Sequence, residues 1–122
     1  MIVRVAAVCG DETLSALRTG VRQYADSRNA SVNGVFFPDA HSFLKALEEE
    51  SLWDLVIVAS PGARGMETVV SARELAPETP LLWCSDDGDF AVASYRFRCS
   101  LFLTLPLRAE QVADALAQCL ES

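Results

Sequence analysis

The sequence predicts a three-layer α/β fold in which helices cover both faces of a five-stranded parallel sheet. Three observations carry that expectation. Short apolar or β-branched runs alternate with segments of helical periodicity along the whole chain. One of those runs, Leu55-Val56-Ile57-Val58, is apolar throughout, as expected of a strand buried on both faces. No linker, repeat or low-complexity tract interrupts the alternation. With 122 residues, 51% of them hydrophobic, the chain has material for one core and is read as one domain, 1–122.

Taken in order, Ile2 to Cys9 is a mostly buried strand bounded by Gly10-Asp11. Leu14, Leu17, Val21 and Tyr24 then recur at helical spacing. Val32 to Phe37 is a second strand ended by Pro38, and Asp39 is placed to cap a helix with Phe43, Leu44 and Leu47 on one face. Glu48-Glu49-Glu50 ends that helix in solvent. Leu55 to Val58 is the central strand, and Ser60-Pro61-Gly62 is a loop. The pattern continues with a helix over Met66–Leu75, a strand over Pro80–Cys84, a helix over Asp87–Arg98, a strand over Leu101–Leu105 and an amphipathic helix over Ala109–Leu120. Parallel neighbours require crossover helices, and right-handed crossovers distribute them over both faces.

Composition narrows the function. A formal net charge of −7 argues against sequence-independent nucleic-acid binding, which depends on Lys and Arg neutralising phosphates. The charge is uneven: Asp86, Asp87 and Asp89 crowd one stretch, whereas Phe90 to Ala109 holds Arg96, Arg98 and Arg108 and no acid. The cysteines, Cys9, Cys84, Cys99 and Cys119, form no C-x-x-C pair and read as small buried hydrophobes in a reducing compartment. No signal-type leader and no apolar run near the ~20 residues of a membrane span is present, so a soluble cytoplasmic protein without membrane contact is expected.

In open parallel sheets the working site lies beyond the carboxyl ends of the strands. This directs attention to Gly10-Asp11-Glu12, Ala59-Ser60, Cys84-Ser85-Asp86 and Leu105-Pro106. Around these loops stand Ala7-Val8-Cys9-Gly10-Asp11-Glu12, Trp53-Asp54-Leu55-Val56-Ile57-Val58, Gly65-Met66-Glu67, Ala72-Arg73, and a stretch from Phe90-Ala91 to Phe102-Leu103-Thr104-Leu105-Pro106-Leu107. Their order and spacing, with a one-residue adjustment near Pro61, resemble the response-regulator receiver domains. The nearest resemblance is to the subgroup found ahead of LytTR-type DNA-binding domains. It covers nearly the whole chain and implies a CheY-like, flavodoxin-like (βα)5 fold with strand order 2-1-3-4-5.

In that family, acidic residues after the first strand help hold magnesium and an aspartate ending the third strand accepts the phosphoryl group. A serine or threonine after the fourth strand senses it, and a lysine after the fifth pairs with its charge. Here the acceptor aligns with Ala59, which has no nucleophilic oxygen. The lysine aligns with Leu105, and one acidic position is Gly10. Asp11, Ser85 and Pro106 still match, with Glu12 close by, so weak magnesium binding at Asp11 and Glu12 is the most the resemblance implies. The bond before Pro106 is expected to be cis by the same resemblance. A phosphorylation-independent pseudo-receiver results, without cofactor or catalytic activity.

Other readings compete at several of these residues. Ser60 as a substitute acceptor competes with Ser60 as an ordinary loop residue before Pro61-Gly62. Asp86-Asp87-Gly88-Asp89 with Asp11 as a cation site competes with a solvated turn capping the next helix, and the spacing matches no recognised calcium loop. His41 is the single histidine and is expected to be exposed in a first helical turn. A flavodoxin-like nucleotide or flavin binder would need a glycine-rich cradle, and Gly62-Ala63-Arg64-Gly65 has neither known spacing. A conventional phospho-accepting receiver would need a carboxylate at the third strand's tip, and Asp54 lies too early to supply one. The output surface implied by the resemblance is the fourth helix, fifth strand and fifth helix, with Tyr95, Arg96, Arg98, Phe102 and Arg108. This face is expected to bind protein partners or a second copy, and an output domain of LytTR type would lie in a longer chain.

Overall fold

Small and β-branched residues, interrupted only by Arg4, make up Ile2–Cys9, which forms β1 and pairs in parallel with β2 (Ser31–Phe37) on one side and β3 (Leu55–Ala59) on the other. β4 (Leu81–Ser85) and β5 (Leu101–Thr104) complete a five-stranded parallel sheet of order β2-β1-β3-β4-β5. The crossovers are α1 (Asp11–Arg28), α2 (Ala40–Glu49), α3 (Gly62–Leu75) and α4 (Phe90–Arg96), with α5 (Ala109–Glu121) closing the chain's last turn onto the sheet. These coordinates, a computed structural model, describe residues 2–121; Met1 and Ser122 lie outside the described residues. Among the described residues no helix is long and apolar enough to cross a membrane.

Strand alternation divides the interior into two cores. Val5, Ala7, Cys9, Leu55, Ile57, Ala59, Leu82 and Cys84 point to the face covered by α1 and α5. Ala6, Val8, Val56, Val58, Leu81 and Trp83 point to the other, with Phe43, Leu47, Val69 and Ala72 of α2 and α3. Of the spaced residues on α1, Leu17, Val21 and Tyr24 are buried and Leu14 is half-buried. On the second face Trp83, fully buried, stacks on Phe90 at 5.4 Å and meets the edge of Phe102 at 5.4 Å. Aromatic packing of this kind holds the short α4 against the sheet.

Several element boundaries differ from the sequence expectation, each for a local reason. α3 begins at Gly62, four residues before the expected Met66, so only Ser60 and Pro61 of the expected loop lie outside it. Pro61 takes the N-cap position, Gly62 has φ +67°, and Gly65 lacks the Cβ that would collide with the Ser60 carbonyl. α4 is shorter than Asp87–Arg98. Its start is delayed because the Asp87 carboxylate accepts the Asp89 N–H at 2.9 Å, a turn rather than a helix bond. Its end is fixed by Arg98 at φ 56°. β4 runs one residue later than expected, from Leu81 to Ser85, since Pro80 has no N–H to give the ladder. β5 ends at Thr104, β2 begins at Ser31 and α5 extends to Glu121. Asp39 caps α2 as expected, accepting Ser42 N–H at 2.8 Å, and His41 is exposed in its first turn.

Arg73 has a structural role that its sequence context did not announce. Its guanidinium donates to five backbone carbonyls: Phe97 at 3.0 Å, Ala76 at 2.9 Å, Pro77 at 3.3 Å, Thr79 at 2.8 Å and Arg98 at 3.1 Å. The end of α3, the turn into β4 and the turn after α4 are thereby held by one side chain. Burial lowers its pKa from the ordinary arginine value, and the carbonyl dipoles take the place of a carboxylate partner.

α1 and α5 meet closely. Gly20 is buried at their crossing, where an added Cβ would run into Val112 and lie 2.7 Å from the Ala109 carbonyl. Further along, Glu121 accepts from Tyr24 Oη at 2.8 Å and from both Arg28 Nε at 2.8 Å and Arg28 Nη2 at 3.1 Å. Two outcomes follow. Gly20→Ala gains about 1 kcal/mol of helix propensity but loses more through overpacking, so urea denaturation should show a net loss of about 1–2 kcal/mol. The hydrogen bonds from Arg28, then from Tyr24, hold the Glu121 pKa below the ordinary glutamate value. A lowered folded-state pKa means the contribution is complete above the ordinary value and is lost as pH falls through the folded one. Glu121→Gln should therefore lower the Tm slightly at neutral pH and leave it unchanged at the acid end, flattening the acid limb of a Tm-against-pH profile.

Candidate functional site

Parallel strands bring their carboxyl ends to one crest, and there the register sets Cys9 beside Ala59 and Ala59 beside Cys84. Ala59 is the last residue of β3 and is 1% exposed. Its methyl group is the only side-chain chemistry at the tip of the middle strand. Asp54 lies before β3, at the opposite pole, where its carboxylate accepts the Arg4 N–H at 2.8 Å. It is therefore remote from the crest, as the sequence spacing implied.

The flanking thiols are chemically quiet. Burial, then the Glu12 carboxylate, raise the Cys9 pKa, and burial raises that of Cys84 far beyond any physiological range. Both sulfurs remain thiols at neutral pH, which removes them as nucleophiles. Ala59 stands between them in the sheet, so they do not sit on neighbouring strands.

Gly10 is the N-cap residue of α1, and Asp11 and Glu12 are exposed in its first turn. The Glu12 carboxylate folds back so that a Cβ on Gly10 would lie 2.7 Å from it. That carboxylate thus covers the position at which the resemblance expects another acid. Among the described residues, no three His, Cys, Asp or Glu side chains gather as a metal-holding group.

Across the crest, Ser85 is fully buried and Leu105 is half-buried against the α1/α5 core. Leu105 N–H donates to the Ser85 carbonyl at 2.8 Å, and the Leu105-Pro106 bond is cis. Pro106 is exposed, and Ser60 is half-buried.

Residues 86–89 are exposed, as a solvated turn should be, but the turn does not cap the next helix, and Asp86 has a partner the sequence did not suggest. Its Oδ1 accepts the Gly62 N–H at 3.0 Å and the Ser85 hydroxyl at 3.3 Å, joining the turn after β3 to the turn after β4. Asp89, at the N-cap of α4, makes no capping bond. One carboxylate thus occupies two donors that face the crest. Sequence reasoning missed this bridge because its partners are 24 residues apart and no local pattern links them. The Pro61-Gly62 dipeptide was the one local sequence signal of a turn there.

The second group of candidate residues is only partly assembled. Tyr95 is 85% exposed on α4, close to Val92 at 77%, and Arg96 and Arg98 are exposed beside them. Phe102 instead turns inward onto Trp83 and is half-buried. Arg108 is not a free cation, since its Nε donates to Glu110 at 3.0 Å, one residue past the acid-free stretch. Phe97, too, is half-buried against the second core.

Replacing Asp86 tests the bridge directly. Asp86→Ala should cost about 1 kcal/mol in urea denaturation, because the freed Gly62 amide can turn to water. Amide hydrogen exchange at Gly62 should quicken in the variant and stay unchanged at Leu105, whose acceptor is a carbonyl.

No protein-family model matches the sequence, and no curated protein matches it. Solved structures resemble it along nearly its whole length. A response regulator from Thermotoga maritima superposes with a TM-score of 0.76 at 19% identity, covering 100% of both chains. A CheY-like response regulator receiver domain protein from Methanospirillum hungatei gives 0.74 at 17% identity, covering 99% of this chain and 95% of its own. A pilus assembly protein CpaE from Caulobacter crescentus gives 0.74 at 21% identity, covering 94% of this chain and 97% of its own. At such identities the likeness is one of architecture: the chain has the CheY-like fold of response-regulator receiver domains.

Proposed function

We propose that this chain is a phosphorylation-independent receiver-like domain that signals through protein contact. The observation that carries the reading is Ala59 at the tip of β3, buried and without a nucleophilic atom. Leu105, packed into the core where a cation would be needed, removes the charge partner as well. The Asp86 bridge supports the same view, since the Ser85 hydroxyl and the Gly62 amide are already engaged by a carboxylate of the chain itself. Such a domain rests in one state and needs no cofactor.

Its working surface in this reading is the exposed face of α4 with the adjoining turn, where Val92, Tyr95, Arg96 and Arg98 combine apolar area with arginine. Phe102 supports that face from beneath, and Arg108 with Glu110 forms its border. The partner is a protein surface or a second copy. The affiliation with LytTR-type regulators, and with it a role in transcription, rests on the sequence stretch from Phe90 to Leu107. A net charge of −7 assigns any DNA contact to another domain, and the free thiols accord with a cytoplasmic setting.

Incubation with acetyl phosphate and magnesium, read by intact mass, should add no phosphoryl group. A gain would sink the proposal, and its loss in Ser60→Ala would move the acceptor to Ser60. As a second arm, Arg96→Glu with Arg98→Glu should weaken self-association or partner binding; association left unchanged would remove this face from the reading.

A further inference from the structure

We propose that the outer edge of β2, with the groove it forms against α1, is a docking surface for an extended peptide segment carrying acidic side chains. β2 and β5 are the two edges of the sheet, and β2 is the longer, seven residues against four. Among the described residues its only strand partner is β1, in unbroken register from Ser31 to Phe37. The backbone groups on its far side are therefore open to another strand. Edges of this kind are normally guarded by a charge, a proline or a bulge. Ser-Val-Asn-Gly-Val-Phe-Phe has none of them.

The edge has a cationic wall. Arg18, Val21 and Arg22 of α1 face Val32 and Phe36 of β2 across a groove of about 490 Å³. The Phe36 ring lies over Gly34, where a Cβ would come within 3.1 Å of it, and the Arg18 guanidinium stands 5.6 Å from the ring centroid. Arg18 and Arg22 are exposed, and neither pairs with a carboxylate among the described residues. In a chain of net charge −7, two free guanidinium groups beside an open strand select for an anionic partner.

A second copy fits the edge poorly. Joining two β2 edges antiparallel about a two-fold axis puts both α1 helices on the same side of the joined sheet. Arg18 and Arg22 of one copy would then face the same cations of the other. An added peptide strand directs every second side chain toward α1, so acids at alternate positions meet the arginines while the backbone extends the sheet.

The test is a titration of the ¹⁵N-labelled protein with an alternating Thr-Glu peptide of about eight residues, with an alternating Thr-Lys peptide as control. Amide shifts should concentrate in residues 31–37 and on α1 around Arg18 and Arg22, and the Thr-Lys peptide should produce none. Arg18→Glu with Arg22→Glu, both on an exposed helix face, should weaken binding by about tenfold or more, as should about 0.5 M NaCl. The same Thr-Glu peptide N-methylated at every residue, with no N–H left to pair with the strand, should not bind. No shifts, shifts elsewhere, or equal binding of both peptides would overturn the proposal. So would self-association of the peptide-free protein that shifts the amides of residues 31–37 with rising concentration, since the occupant would then be a second copy.

Discussion

β3 is enclosed on every side, and the character of the crest depends on that enclosure. β1 and β4 take its backbone hydrogen bonds, α1 and α5 cover one face, α2 and α3 the other, and none of its five side chains is more than 1% exposed. Burying the larger of them stabilises the fold by about 1.5–3 kcal/mol each. The same seclusion makes a charge at the strand's tip costly unless a partner or a hydrogen-bond shell offsets it. With the apolar Leu105 half-buried across the crest, the methyl group of Ala59 fits without that penalty.

The crest is not empty of charge. Asp86 reaches back across it to the first residue of α3, and Arg73 reaches from the last turn of α3 to the carbonyls that follow α4. The helix is thus tied at both ends to the segments that flank α4. One tie is a carboxylate receiving amide and hydroxyl donors, the other a guanidinium receiving carbonyls; neither uses an ion pair. This is an arrangement that keeps α4 in one position and leaves Val92 and Tyr95 facing outward.

The electrostatics are divided in the same manner. Most acids lie on exposed turns and helix faces, while the exposed arginines without a carboxylate partner among the described residues stand on α4 with its following turn, on the β2 edge of α1 and, singly, at Arg64 on α3. An acidic chain with localised basic surfaces can discriminate between partners by charge.

By itself the sequence determined the order and type of the elements, because alternating apolar runs and helical periodicities are local properties of the chain. The buried central strand, the Asp39 cap, the exposed His41 and the loops that form the crest were legible for that reason, and residue identity alone excluded a nucleophile at Ala59. Only the tertiary structure decided the bridge from Asp86 to Gly62, the five-carbonyl grip of Arg73, the neutralisation of Arg108 by Glu110 and the inward turn of Phe102. The physical reason is range and direction. Most of these contacts join residues far apart in sequence, and each depends on where a side chain points after the sheet has fixed its backbone, which spacing along the chain does not encode.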